Sequence, residues 1–246
     1  MRDKVVIITT AIVLFSGGID STACLYWAKQ KYSKIILLSF IYNSKEDQVI
    51  QSTNEYFSSL LSVESKIISL PFLGEFGLDS KSSLIKTLDD PPEIKDFSQL
   101  NDKNLTLETA KNVWIPGRNI LFLSIAASLA DSLKKPVDIV FGANKEEGET
   151  FPDNTVEFVS KMNQAISLGC VNEVSIKSPF SDSIKMDIVS FLIEKKVPLG
   201  YTSSCYNVKN WSEDGKPIHC GKCESCQRRK RAFQYTKNTD PTAYDS

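Results

Sequence analysis

The sequence predicts an α/β fold, a parallel sheet with helices on both faces and a small cysteine-rich appendage at its C-terminal end. Three observations carry that expectation. Strand-length apolar runs recur at residues 11–15, 35–40, 66–70, 137–142 and 173–177, with helical patterns between them. A Ser-Gly-Gly-x-Asp-Ser stretch, Ser16 to Ser21, joins the first of these runs to the first helical pattern. Beyond Thr202 the alternation stops and cysteines cluster. A chain of 246 residues suffices for one large domain, or for one with a small appendage, and 41% hydrophobic residues can fill a core. A net charge of −1 gives no overall pull towards nucleic acid or an anionic membrane.

Taken in order, Met1-Arg2-Asp3-Lys4 followed by the apolar-rich run 5–15 imitates a short signal peptide. No small-x-small cleavage site follows, and the run leads into the glycine loop, so it is read as β-structure in a cytoplasmic protein. No other apolar stretch is long and charge-free enough to span a bilayer. The loop itself, Phe15-Ser16-Gly17-Gly18-Ile19-Asp20-Ser21, has the make-up of an anion cradle. Two glycines permit a sharp turn and close backbone approach. Successive N–H groups and a fresh helix N-terminus then face a negative charge. Ser16 and Ser21 add hydroxyls, and Asp20 can hold a phosphate-bound Mg²⁺. No Gly-Lys-Ser/Thr closes the loop, so it is not a Walker A motif. The following helix carries Ala23, Cys24, Trp27 and Ala28 on one face.

Residues 72–111 break the rhythm with Pro91-Pro92, many charges and no sustained period, and read as a functional or mobile insertion. Residues 119–133 are apolar almost all round, which predicts a buried helix. Residues 154–168 open on Asn154-Thr155-Val156-Glu157, capping-box spacing with Asn as the cap. Residues 185–196 bring Met186, Val189 and Ile193 together. The expected layout is a main domain over 1–201 with the insertion, a cysteine region over 202–236 and a polar, frayed tail over 237–246. The basic run Arg228-Arg229-Lys230-Arg231 reads as a solvated helix face, with a phosphate or RNA contact as the rarer alternative.

Of six cysteines, Cys205, Cys220, Cys223 and Cys226 are spaced C-x14-C-x2-C-x2-C. The close trio puts three sulfurs within reach of one ion, and Cys205 folds back to complete a tetrahedral Zn²⁺ site. Disulfides and an iron–sulfur cluster are the rival readings. Cys24 and Cys170 read as small core residues. His219 is the single histidine, so a His-based triad is not expected.

The glycine loop resembles the pyrophosphate loop of the N-type ATP pyrophosphatases. These enzymes split ATP between its α and β phosphates and place AMP on a carboxylate or carbonyl oxygen. Further segments sharpen the resemblance: Trp114-Ile115-Pro116-Gly117-Arg118-Asn119, Gly142 through Phe151-Pro152-Asp153-Asn154, Lys185, and Ser204-Cys205-Tyr206 with the cysteine trio. In that order they resemble the 7-cyano-7-deazaguanine synthase family over about residues 11–233. The resemblance implies an adenine nucleotide α-hydrolase-like sheet and a role before queuosine and archaeosine. It implies ATP, Mg²⁺ and Zn²⁺ as cofactors, and 7-carboxy-7-deazaguanine and ammonia as substrates, with no membrane and no direct nucleic-acid partner. It leaves monomer or homodimer open.

Under that resemblance Phe15, Ser16, Gly17, Gly18, Ile19, Asp20, Ser21, Thr22 and Phe40 bind ATP. Asp20, Arg118 and Lys185 serve the chemistry, Asp153 meets the N–H edge of the base, and Phe151 stacks beside it. Tyr42-Asn43-Ser44-Lys45 departs from the Tyr-Gly-Gln and basic residue usual in bacterial members. Three other functions compete: transfer of the activated acid to a different amine, tRNA sulfur transfer, and a zinc-stabilised binding module without activity.

Overall fold

In the computed structural model, residues 9–245 are described, so residues 5–8 of the first apolar run lie outside them. Five parallel strands form one sheet in the order β3-β2-β1-β4-β5. They are β1 (Thr10–Leu14), β2 (Lys34–Ile41), β3 (Glu64–Ser69), β4 (Val137–Val140) and β5 (Val174–Lys177). Each matches an expected apolar run to within a few residues. The central register sets Ile12 between Ile36 and Ile139. The chain winds outward from β1 to β3, then returns to place β4 on the other side of β1. That reversal leaves a crevice beyond the carboxyl ends of β1 and β4, the place where open parallel sheets bind ligands.

Both faces of the sheet are covered, so successive residues of β1 enter two different cores. Ile12 and Leu14 pack with Leu123, Ala126 and Ala130 of α5 (Arg118–Ser132). Ala11 and Val13 pack with Ala23 and Cys24 of α1 (Ile19–Lys29) and with Ile188 and Leu192 of α8 (Lys185–Glu194). Each fully buried Leu, Ile or Val contributes about 1.5–3 kcal/mol. Between α1 and α8 come α2 (Asp47–Leu61), α3 (Pro71–Asp79), α4 (Lys103–Asn112), α6 (Lys145–Gly148) and α7 (Val156–Gly169). A short antiparallel pair, β6 (Asn210–Trp211) and β7 (Pro217–Ile218), precedes α9 (Glu224–Thr236).

Several expectations are corrected. The stretch 72–111 is ordered: Pro71 starts α3, Asp102 caps α4, and Leu84, Ile85, Ile94 and Leu100 are buried. Its apolar residues are too widely spaced to show a period, yet each finds the core. Helix α5 is buried on one side only, with Ile120 exposed. Thr155, not Asn154, caps α7, its hydroxyl accepting from Phe158 N at 3.1 Å. Asn154 instead belongs to the 3-10 turn Pro152–Asn154.

The basic run is not a solvated face. Arg229 is fully buried, its guanidinium paired with Asp240 at 3.1 Å and bonded to Thr202 Oγ1 and Leu199 O. Arg228 is buried against Glu224. Residues 237–245 are packed rather than frayed: Tyr244 donates to Asp240 at 2.6 Å, and His219 N donates to Ala243 O. Helix α9 also sends Ala232 and Phe233 into the main core, so the cysteine region is joined to the sheet domain rather than hung from it.

Candidate active site and metal centre

The loop after β1 is shaped by one conformational demand. Gly17 has φ +78°, and a Cβ there would stand 1.9 Å from Thr53 Oγ1. Only glycine meets both conditions. Ser203 N donates to Gly17 O at 2.8 Å and fixes the turn from outside. Gly18 precedes α1 without a side-chain cap, so the first N–H groups of the helix are left for a ligand. Ser21 Oγ donates to Gly18 O at 3.1 Å and lies 3.2 Å from Ser16 Oγ, holding both hydroxyls at the rim.

Beside the loop, Lys185 at the start of α8 is buried between two carboxylates. Its Nζ lies 2.5 Å from Asp20 Oδ2 and 2.8 Å from Glu147 Oε1. Burial raises Asp20 to about 6, against the pull of the Lys185 charge. Burial also acts to raise Glu147, but Lys185 overrides it and holds that carboxyl below its ordinary value. The two anions in turn keep Lys185 charged, despite burial, above the ordinary lysine range. Asp20 Oδ1 is buried without a hydrogen-bond partner among the described residues. An orphaned carboxylate oxygen beside an anion cradle suits a divalent cation bound to phosphate.

Arg118, in the first turn of α5, donates to Tyr42 Oη at 3.1 Å. Phe40 and Phe122 stack at 4.1 Å between centroids, and Trp114 backs Phe151 with nearly parallel rings. Phe15, Ser16, Gly18, Ile19, Asp20, Ser21, Phe40, Arg118, Phe151 and Lys185 all line one cavity. Three expected residues do not. Gly17 turns towards Thr53, and Thr22 is fully buried within α1. Asp153 is buried, its carboxylate accepting from Asn154 Nδ2 at 3.1 Å and under the charge of Arg118.

The sequence reading missed Tyr42, Glu46, Glu147, Ser203, Tyr206 and Ser225, which also line the cavity. Glu147 had one available signal: it follows a strand end in a short acidic run, Glu146-Glu147. Lys45, by contrast, takes no part. Its Nζ donates to Ser83, Leu88 and Asp89 carbonyls at 2.8, 2.7 and 2.7 Å and so ties the 72–111 segment to the end of β2.

The four cysteines converge as spaced. Sγ atoms of Cys205, Cys220, Cys223 and Cys226 lie within 4.8 Å of one another, and no disulfide joins any of the six cysteines. Gly221, at φ +71°, makes the turn between Cys220 and Cys223. Backbone N–H groups of Lys222 and Cys223 approach Cys220 Sγ at 3.5 and 3.4 Å, which suits thiolate ligands of a metal. Both ring nitrogens of His219 are buried without partners among the described residues, and neither joins the cluster.

This centre reaches the cavity by two routes. Ser225, between Cys223 and Cys226, and Ser204 and Tyr206, either side of Cys205, line the cavity wall. Further along α9, Arg231 pairs with Glu146 Oε2 at 2.6 Å, while Glu146 Oε1 accepts from Lys185 N at 2.9 Å.

Residues 10–237 match the family described as queuosine biosynthesis protein QueC. A 7-cyano-7-deazaguanine synthase of Pyrococcus horikoshii is 46% identical over 95% of this chain and 96% of its own length. One of Methanocaldococcus jannaschii is 38% identical over 95% and 98%. Among solved structures, the U34-tRNA thiolase NcsA from Methanococcus maripaludis with its [4Fe-4S] cluster aligns at a TM-score of 0.46 and 14% identity. It covers 80% of this chain and 61% of its own, a likeness too low to carry weight. The family match spans the glycine loop, the Lys185 clamp and the whole cysteine cluster, and the chain belongs to the queuosine biosynthesis protein QueC family.

Proposed function

We propose that the chain is a 7-cyano-7-deazaguanine synthase working by two rounds of adenylation. In the first, the carboxylate of 7-carboxy-7-deazaguanine attacks the α-phosphorus of ATP, forming an acyl adenylate and releasing pyrophosphate. Ammonia adds to the acyl carbon, and AMP leaves with the C–O bonding pair to give an amide. In the second, the amide oxygen attacks another ATP and pyrophosphate leaves. Loss of AMP and protons from the adenylated amide then yields the nitrile. The observation that carries this reading is the open, uncapped start of α1 beside a buried Lys185 clamp in one cavity.

The N–H groups after Gly18 and the Ser16 and Ser21 hydroxyls bind phosphate oxygens. Lys185 and Arg118 set positive charge where it offsets the developing negative charge. Glu147 keeps Lys185 in place when Asp20 turns to a cation. Mg²⁺, when bound at Asp20 Oδ1, would supply neutralising charge for the leaving pyrophosphate. No side chain acts as a nucleophile, so a triad is not required.

Zinc is the metal proposed for the cysteines. A tetrahedral Zn–S bond of about 2.3 Å separates ligand sulfurs by about 3.8 Å, and Cys220 and Cys226 Sγ lie 4.0 Å apart. A cubane spreads its thiolates further. The ligase class and a cytoplasmic location belong to the same proposal.

Incubation with ATP, Mg²⁺, ammonium and 7-carboxy-7-deazaguanine should give AMP, pyrophosphate and the nitrile by mass. ADP and phosphate as main products would overturn the adenylation. AMP without nitrile or amide would point instead to another amine acceptor.

A further inference from the structure

Three carboxylates line the cavity: Asp20, Glu147 and Glu46. The first two are engaged by Lys185. Glu46, at the N-terminal boundary of α2, has a carboxylate with no hydrogen-bond partner among the described residues, and its influences are burial and the charges of Arg118 and Asp47. Its neighbour Asp47 is engaged, Oδ1 accepting from Tyr42 N at 3.1 Å and Ser44 Oγ at 2.7 Å and Oδ2 lying 3.7 Å from Lys86 Nζ. Arg118 acts on Glu46 through its charge but makes no hydrogen bond or ion pair with it among the described residues; its hydrogen bond goes to Tyr42 Oη. Glu46 therefore faces the cavity as its one unengaged carboxylate.

The surroundings say what it would meet. Phe40 and Phe122 form an aromatic wall, while Leu84 and Val113, flanking α3 and α4, close an apolar side. Flat apolar walls with a single acceptor suit a planar heteroaromatic ring that presents N–H donors at one edge. A carboxylate has two acceptor oxygens and matches two adjacent donors best. A guanine-type ring offers such a pair, its lactam N–H and its 2-amino group. Adenine offers one amino group beside a ring nitrogen that would repel the second oxygen.

We propose that Glu46, rather than Asp153, reads the lactam and 2-amino edge of the deazaguanine acid. This assignment rests on the function proposed above. It also gives the half-buried carboxylate a purpose: desolvation pushes Glu46 up to about 7, and two N–H donors would stabilise its anion.

The test uses the metal-loaded full chain and Glu46→Gln. The variant keeps the shape and loses the charge and one acceptor. The KM for 7-carboxy-7-deazaguanine should rise about tenfold to a hundredfold, with the KM for ATP, the thermal midpoint and the metal content unchanged. Wild type should discriminate against an analogue lacking the 2-amino group, and the variant should not. Glu46→Asp keeps a carboxylate one methylene shorter and should recover part of the discrimination.

An unchanged KM for the acid overturns the assignment while leaving the proposed function standing. A rise confined to the KM for ATP overturns it too and moves Glu46 to the adenine. Failure of the wild type itself to convert the acid removes the proposed function, and this assignment with it.

Discussion

The glycine loop and the segments that carry the cysteine centre line one cavity, and they are held there in different ways. The loop is held by backbone: a left-handed Gly17, the Ser203–Gly17 hydrogen bond and the sheet beneath. The cysteine centre has only a two-residue strand pair of its own. It is held chiefly by side-chain ties, Arg229 with Asp240 and Glu224 with Thr109, with one backbone bond to a distant segment, Ile94 N donating to Lys222 O at 2.7 Å. A backbone device is legible over six residues and intolerant of substitution. A side-chain device is spread along the chain, and its stability depends on a metal and on buried charges. The contrast yields four expectations.

The largest effect belongs to the loop. Gly17→Val meets both a forbidden φ and the Thr53 side chain, so adenylation should disappear and the thermal midpoint should fall by several degrees. Gly18 has an ordinary φ and nearest atoms at 3.4 Å. Gly18→Ala should keep the thermal midpoint and raise only the KM for ATP. Pyrophosphate release and a melting curve for both variants decide the matter; equal loss of stability in both would contradict the backbone account.

The second effect tests the other side. Elemental analysis should find about one zinc per chain, as a closed four-cysteine site requires. Cys223→Ser should lose the metal and lower the thermal midpoint, since metal binding is coupled to folding. Because Ser225 and Tyr206 line the cavity, turnover should fall together with metal content. Stoichiometric iron and sulfide after anaerobic purification would refute the zinc assignment.

A smaller effect isolates the buried charges from the metal. Arg229→Met leaves Asp240 without its partner and should cost about 3–5 kcal/mol, with zinc retained. Adding Asp240→Leu should recover much of that loss, because the stranded charge is then gone as well. A double variant no more stable than the single one would show that Arg229 acts through packing against Phe233, over whose ring it lies at 5.2 Å.

The same contrast explains what the sequence disclosed. The five strands, the loop residues and the four cysteines are local patterns, and each was readable. Glu46 and Glu147 were not singled out, because an acid in an ordinary helix-start context does not announce which cavity it faces. Arg228 to Arg231 look like a solvated face until Glu146, Glu224 and Asp240 are brought beside them by the fold. Asp153 shows the converse. Its position after a strand end pointed to the crevice, and in the 3-10 turn Pro152–Asn154 its carboxylate is buried and taken up by Asn154 Nδ2.

The smallest expected effect concerns Asp20, where the loop accepts a cost in stability for its chemistry. Its ordinary carboxyl value is 3.8 and burial raises it to about 6 in the folded chain. Between those values the folded state binds more protons than the unfolded one. This group's contribution to stability therefore falls as pH rises from about 4 to about 6, by at most ~1.4 kcal/mol for each pH step of one across that window. Asp20→Asn removes the titration, so the variant's stability should gain on the wild type across the same window and stay ahead at pH 7. The same change should abolish Mg²⁺-dependent turnover, because an amide cannot supply the anionic oxygen left free at Oδ1. Denaturant unfolding of both proteins at pH 4.5 and pH 7 measures the difference. An Asn variant less stable than wild type at pH 7 would mean that the Asp20–Lys185 pair holds the fold, and that the loop is not maintained by backbone alone.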